Sequence, residues 1–552
     1  MATSEVDIVR VQDARSHPLH GALFTWPHER YLTLALIAAL LGTALYFRTA
    51  HLSAMPGVNG DEAWWGVHAM NWWNGLPYAK RTTSGNPVDM FYLVPLALVH
   101  TLASPSFAAL RTVAVFANLL ALVLGFFLAR RLYGDTTAWI QTVALAIAPT
   151  AIAHSRFSQE PSQSILWTSI AIYLALLGAK GGKRAWMFGV AAYLIFPIVL
   201  WTHPTNVFVA PFLLLPLMAA MRWFMPVTIR GRVIVGAVAV AVVAVTVTFG
   251  WPELQRLTAS NPALKKPWFE LAAMRLTSAA QWLEYARLFG RLFSGATIYQ
   301  YFSSPDLDTL PYDVVISVVA VATVVGLYFA LRRPQPALDC GLLLAWLTSV
   351  LLHYAFGGPD AIRPHLERWG LCLIVPTLLV VARALAAWIE RFPQMRWVPV
   401  GAAAALAALQ LASFRTNYFG EFQTTGGRSH RTFVTAKIEP KQAALESILA
   451  WREGDEPVII IAREWWQFWP ISYLAKNQPN VFVSKDLDSE AYPWFKRAID
   501  HGQLYFVDFA AEPDARSALE WVRARGLRST ANTVRDRSGR DLFQILQVTR
   551  AH

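Results

Sequence analysis

The chain has 552 residues, of which 55% are hydrophobic and 15% charged, with 23 tryptophans and a formal net charge of +12. That is more apolar material than a soluble globular core needs, so the composition excludes an ordinary soluble enzyme and points to a polytopic membrane protein. The positive excess requires no nucleic acid, because Lys and Arg in cytoplasmic loops facing anionic headgroups account for much of it.

In chain order, residues 1–30 carry charges ahead of the first apolar run and lack a short apolar core with a small-residue cleavage site, so they read as a cytoplasmic tail. Runs of roughly 17 to 25 apolar residues can cross a bilayer, and about eleven fit here. They are Tyr31 to Phe47, Phe107 to Ala129, Thr136 to Ala153, Ile165 to Leu177, Ala185 to Trp201 and Thr205 to Ala220. Val233 to Trp251, Tyr312 to Leu331, Leu338 to Phe356, Leu371 to Trp388 and Val398 to Ser413 complete the set. Met90 to Leu102 would break the alternation if it spanned, and reads as a juxtamembrane helix.

Lys and Arg of short loops mark the cytoplasmic side. Arg130-Arg131, Lys180 with Lys183-Arg184, Arg222 with Arg230 and Arg232, Arg332-Arg333, and Arg391 with Arg396 fall in alternate connections. The transmembrane domain therefore covers 31–414, with outward loops 48–106 and 252–311, and a C-terminal domain, 415–552, lies outside. That domain reads as α/β. Val458 to Ile461, Val481 to Val483, Leu504 to Val507 and Leu542 to Leu546 have strand composition, while Gln442 to Arg452 and Pro513 to Arg525 have helical spacing. No glycine-rich phosphate loop follows any strand. Cys340 and Cys372 both fall in spans, so no disulfide or zinc framework is expected.

The outward loop after the first span, Pro56-Gly57-Val58-Asn59-Gly60-Asp61-Glu62, places two carboxylates at the membrane surface. Sugar transfer to a hydroxyl needs a base for the acceptor proton and an environment that tolerates an oxocarbenium-like transition state. Asp61 suits the first task; the competing reading is that it caps a helix beginning at Glu62. Trp65, Trp72 and Trp73 share a helical face, with Trp64 and His68 alongside, which predicts an amphipathic interfacial helix. Its rings serve either a membrane belt or contacts to sugar. In the next outward turn, Ser155-Arg156 precedes Glu160-Pro161, either a second acidic group for the acceptor or a helix start. Near the tenth span, Arg363 and Arg368 offer guanidinium forks for phosphate, against plain snorkelling to the interface. His203-Pro204 marks a helix break that also brings an imidazole to an outer mouth. Lys80 and Arg81 add basic groups in the first loop.

Several of these segments, in this order, resemble the GT-C superfamily of integral-membrane glycosyltransferases, in the branch with bacterial family 39 enzymes, protein O-mannosyltransferases and aminoarabinose transferases of lipid A. The carriers are Gly60-Asp61-Glu62, Arg111 with Ala129-Arg130-Arg131-Leu132-Tyr133-Gly134, Ser155-Arg156 with Glu160, Thr202-His203-Pro204-Thr205, and Glu367-Arg368 ahead of a span with Pro376. The resemblance covers roughly Tyr31 to Ser413. It implies an inverting transfer from a polyprenyl-phosphate sugar, with Asp61 and Glu160 at the family's two acidic positions. Two departures stand out. Ser84-Gly85-Asn86-Pro87-Val88-Asp89-Met90 replaces a Lys-Pro-Pro-Leu segment, and His203 stands where relatives tend to carry Lys.

The resulting expectation is a bacterial inner-membrane glycosyltransferase with its site facing the periplasm. Asp61, Glu62 and Glu160 form the catalytic set; Lys80, Arg81, Arg156, His203 and Arg368 form the donor-phosphate set; Trp64, Trp65 and His68 supply sugar or interface contacts. The partners are a polyprenyl-phosphate sugar, a glycan, lipid or protein acceptor, and membrane lipids. No cofactor is required, and a divalent metal, though compatible, is demanded by no ligand spacing. The alternatives are a transporter or flippase of lipid-linked saccharides, which usually places ionisable groups or broken helices near mid-membrane, and an idle scaffold. The cluster Arg463-Glu464-Trp465-Trp466-Gln467-Phe468-Trp469-Pro470 either stacks on sugar or packs the C-terminal domain onto the membrane part, packing being the preferred reading.

Overall fold

A computed structural model describes residues 27–224, 268–333, 337–452, 454–486, 493–510 and 513–550. The chain divides after Phe47 into two compact units, and the features below belong to the second, from Arg48 onward. Among the described residues seven helices are long and apolar enough to cross a membrane: Phe107–Tyr133, Glu160–Lys180, Ala185–Thr202, Leu310–Leu331, Ala337–Gly357, Glu367–Arg391 and Pro393–Thr425. An eighth is a bent pair, Asp135–Ile147 and Pro149–Ser155, meeting at 58°.

The expected span Thr136 to Ala153 is therefore broken. Pro149 has no amide hydrogen to continue the ladder, and Ala148 leaves helical geometry just before it. Thr205 to Ala220 also departs from a straight span, running as a 3-10 segment Pro204–Leu213 that contains Pro211 before the helix Leu214–Phe224. The expected span Val233 to Trp251, with Arg230 and Arg232, lies outside the described residues. Met90–Leu102 is a short helix, as its spacing predicts, capped by Asp89. The last span does not stop at Ser413 but continues through a π-helical turn, Arg415–Gly420, into Glu421–Thr425.

The C-terminal part holds a five-stranded sheet of order β2-β1-β3-β5-β4. Strands β1 (Val458–Ile461), β2 (Val481–Ser484), β3 (Leu504–Phe509), β4 (Leu527–Arg535) and β5 (Asp541–Arg550) make parallel β1/β2 and β1/β3 pairs and antiparallel β3/β5 and β4/β5 pairs. Alternate residues of β1 feed opposite cores: Val458 and Ile460 join Ile471 and Tyr505 on one face, Ile459 and Ile461 join Phe506 and Leu546 on the other. Strand β4 has no sequence counterpart above. Its residues Leu527 to Arg535 are polar and mostly exposed at the sheet edge, so no apolar alternation marks it. The helices Trp465–Ala475 and Pro493–Asp500 were likewise not anticipated.

The helix that carries the acidic pair, Gly60–Trp73, begins with a capping box: the Asn59 side chain accepts from the Asp61 amide, and Glu62 accepts from the Asn59 amide at 3.0 Å. The cap is thus Asn59, not Asp61. Nor is this an interfacial helix. Trp64 and Trp65 are buried, Trp73 is exposed, and the helix is packed between Met90–Leu102 on one side and Trp465–Ala475 on another. Its aromatic face is core because the C-terminal domain covers it.

Glu62 fixes this helix to its neighbours. Its oxygens take a bidentate pair from Arg111 at 2.8 Å each and a further bond from the Ser158 amide at 2.8 Å. Arg111 spends its remaining terminal nitrogen on the carbonyls of Leu52 and Pro56. Both side chains are fully buried. A buried ion pair is tolerable only when its lone pairs and protons are this completely matched. At the middle of the helix, Gly66 faces Tyr473, where a Cβ would come within 2.6 Å of the ring.

Removing one partner should therefore cost more than the pair itself contributes. Arg111→Ala is expected to destabilise by about 3–5 kcal/mol, with Arg111→Lys intermediate because it restores charge without the fork. Thermal unfolding of the detergent-solubilised chain reads this, and an unchanged transition would show that the pair is dispensable. Gly66→Ala should cost about 1–3 kcal/mol through overpacking against Tyr473. Gly401→Ala, with nothing within 4 Å, should cost nothing measurable in the same assay.

Candidate active site

Asp61 is the second residue of its helix, one position before the buried Glu62, and makes contacts of its own apart from the ion pair. Oδ1 accepts from the Trp465 indole nitrogen at 2.9 Å, and Oδ2 has only a long contact, 3.4 Å, from the Gln159 amide. Burial pushes the Asp61 carboxyl above the ordinary aspartate range; the nearby Arg368 guanidinium and the Trp465 bond pull it back, and Glu62 adds to the rise.

Glu160 is close enough to Asp61 for the two charges to act on each other. Trp65 donates to its Oε2 at 3.0 Å, and both Asp61 and Arg368 act on it electrostatically. Arg368, only half-buried, makes no hydrogen bond to any described residue. Its fork is free although its charge is felt by Asp61, Glu160 and His203. The preceding Glu367 is fully buried, 3.4 Å from His154. Tyr301 is within the field of the same groups: burial and the Glu367 charge hold its phenol above the usual value while Arg368 opposes them.

Asp61, Glu160, Arg368 and His203 therefore converge. His203 does so as a neutral group: burial first, and Arg368 second, bring its imidazole down to about 3. Its Nδ1 lies 2.6 Å from the Thr205 hydroxyl and 3.4 Å from the Thr205 amide.

Other expected members are placed elsewhere. Arg156 is fully buried, donating to the carbonyls of Ala50 and Met55 at 2.6 and 2.9 Å and lying over Phe419, so its guanidinium ties the first loop down instead of meeting a ligand. Lys80 sits exposed over the Tyr78 ring and Arg81 donates to the Gly85 carbonyl; neither is among the charges acting on Asp61 or Glu160. Glu62 is committed to Arg111 and two amides. Trp65 reaches the site through Glu160, whereas Trp64 and His68 pack behind it. His68 accepts from the Ala79 amide, and burial, with Lys476 second, brings it down to about 4. Arg363 is spent on Glu284 and Asp360.

Trp465, Gln159 and Tyr301 were not anticipated at the site. Trp465 lies about 400 residues from Asp61 in sequence, and only its place in an aromatic cluster singled it out. The packing reading of that cluster holds: Trp465 and Trp469 pack against the core of the Gly60–Trp73 helix. Asp89, in the segment that departs from the family pattern, is a buried helix cap whose Oδ2 has no hydrogen-bond partner; burial raises its carboxyl to about 7. Within the spans Arg383 and Asp339 form a buried bidentate pair, with Asp339 in the first turn of its helix. Among the described residues, no three His, Cys, Asp or Glu side chains are grouped to hold a metal ion.

No protein-family model matches the chain, and no curated protein matches it significantly. Solved structures do. ArnT from Cupriavidus metallidurans bound to undecaprenyl phosphate superposes with a TM-score of 0.53 at 13% identity, over 93% of this chain and 98% of that one. The oligosaccharyltransferase AglB from Archaeoglobus fulgidus, in complex with an inhibitory peptide and a dolichol-phosphate, gives a TM-score of 0.47 at 12% identity, over 88% of this chain and 70% of that one. The likeness to ArnT shows the fold alone: this chain shares that protein's architecture, a set of membrane-length helices followed by the C-terminal domain that its sequence led us to expect.

Proposed function

We propose that the protein is a membrane glycosyltransferase that moves a sugar from a polyprenyl-phosphate carrier to an extracytoplasmic hydroxyl, with inversion of configuration. The observation that carries this is the electrostatic pairing of a partly desolvated carboxylate, Asp61, with a guanidinium, Arg368, that has no hydrogen-bond partner among the described residues. One group accepts a proton; the other receives a phosphate. The fold shared with a protein bound to undecaprenyl phosphate supports the choice of carrier.

In this reading the donor phosphate lies against Arg368, whose fork matches its oxygens. Asp61 takes the proton of the acceptor hydroxyl as its oxygen bonds to the anomeric carbon, on the face opposite the phosphate. The bond from that carbon to the phosphate oxygen breaks, and its electron pair leaves with polyprenyl phosphate, where developing charge is met by Arg368. Glu160 orients the acceptor beside Asp61, Tyr301 and the neutral His203 supply donors, and Glu62 holds the loop without touching substrate. The step draws on these side chains and requires no cofactor. In the same reading the acceptor is an envelope glycan, lipid A core or protein hydroxyl and the site faces the periplasm from a bacterial inner membrane, an orientation that the alternation of basic loops supports.

Asp61→Asn should reduce transfer by on the order of 100- to 10,000-fold, the usual worth of a positioned base. Mass spectrometry of lipids and envelope glycans, from cells lacking the protein and complemented with either form, reads it. Accumulation of one polyprenyl-phosphate sugar, cured by wild type alone, is the expected result; equal rescue by both forms removes Asp61 from catalysis and favours transport.

The base works only when deprotonated, so a raised Asp61 pKa predicts that activity rises with pH through a limb above the ordinary aspartate value of about 4. Arg368→Gln removes the charge that opposes the rise. That limb should then move further up and the donor KM should increase; a limb left in place would separate Arg368 from Asp61.

A further inference from the structure

We infer that Trp465, carried by the C-terminal domain, is a positioning residue for the Asp61 carboxylate: its indole N–H holds Oδ1 and leaves Oδ2 to take the acceptor's proton. The inference deepens the glycosyl-transfer reading above and rests on it. The two oxygens of Asp61 are unequal. Oδ1 receives a 2.9 Å bond from the indole, whereas Oδ2 has a 3.4 Å contact to Gln159 that an incoming hydroxyl can replace.

The donor is itself fixed. Trp465 approaches the backbone at Gly60 so closely that a Cβ there would come within 2.5 Å of both the indole ring and the Trp465 carbonyl oxygen. Trp469 meets its ring edge to face at 5.4 Å, and the Lys485 ammonium sits 4.7 Å from its centroid. One turn and more further along, Tyr473 anchors the same helix by bonds with the Ser106 backbone at 3.0 and 3.2 Å and by stacking on Phe107. An indole held on three sides cannot follow a carboxylate that rotates, so the carboxylate is held instead. This gives the C-terminal domain a direct part in the chemistry beyond any contact with acceptor, since a domain lifted from the Gly60–Trp73 helix would release Oδ1.

The charged and titratable groups acting on Asp61 are Glu62 on its own helix, Arg368, Glu160, and Tyr301 from the helix Ala296–Phe302. Loss of the indole bond leaves all of these in place. A hydrogen bond donated to a carboxylate favours its charged form, so its removal moves the acid limb of the rate profile to higher pH.

The test uses the full chain in proteoliposomes, with polyprenyl-phosphate sugars and envelope acceptors extracted from cells lacking the protein. Trp465→Phe is compared with Trp465 replaced by 3-benzothienylalanine, which keeps the ring and puts sulfur in place of the N–H, and with Asp61→Asn. For the benzothienyl form we expect wild-type thermal unfolding, an unchanged donor KM, a roughly tenfold or larger fall in kcat, and an acid limb at higher pH. Wild-type kcat with an unmoved limb overturns the inference, as does a fall in kcat that only follows lost stability. Transfer retained by Asp61→Asn instead overturns the glycosyl-transfer reading itself, which keeps the two failures apart.

Discussion

The buried pair between Glu62 and Arg111 is the constraint on which the site depends. Taking two charges out of water costs several kcal/mol per ion, and that cost is offset only if each polar atom finds a partner. Here they do: both Glu62 oxygens and all three Arg111 nitrogens are engaged, and the bonds run to four separate pieces of chain. The loop before Gly60, the Gly60–Trp73 helix, the Phe107–Tyr133 span and the turn at Ser158 are thereby set at fixed separations. Asp61 is next to one end of this network and Glu160 two residues beyond the other, so the effect of each carboxylate on the other follows from it.

A second set of bonds adds the C-terminal chain to the same loop. The Gly57 amide donates to the Phe433 carbonyl at 2.9 Å, the Val58 amide to Glu439 at 3.1 Å, and the Thr435 hydroxyl to the Ala54 carbonyl at 2.6 Å. Glu439 in turn pairs with Lys441, both fully buried. The approach at Gly57 leaves no room for a side chain, since a Cβ would meet the Val434 carbonyl oxygen at 2.6 Å. The candidate site is therefore composite: one wall comes from loops between spans, and one hydrogen-bond donor comes from the far end of the chain.

Burial also separates two arginines that look alike in sequence. Arg156 and Arg368 both sit in polar turns next to spans, and either could be read as a phosphate clamp. Arg156 is surrounded by carbonyls and aromatic rings, where its charge is satisfied by the protein. Arg368 keeps its fork open and its charge directed at two carboxylates. The difference lies entirely in what the rest of the chain brings up to each guanidinium.

The sequence by itself determined what is local or compositional. Long apolar runs can be satisfied only as helices in lipid, because every backbone group must bond within its own segment, and most spans were legible for that reason. The strands β1, β2, β3 and β5 were legible through their apolar and β-branched content, while the polar edge strand β4 was not. Asp61 and Glu160 stood out as carboxylates beside predicted helix starts, and Arg368 as a cation at a span end. What only the tertiary structure decided is which of these groups are left with work to do. Glu62, Arg156 and Asn59 are consumed by bonds to partners far away in the chain or by the cap itself, and Trp64 and Trp65 of the Gly60–Trp73 helix become core because a domain some 400 residues later packs against them. Charge and polarity are properties of a residue, but the free energy of leaving them unpaired depends on neighbours that no local pattern encodes.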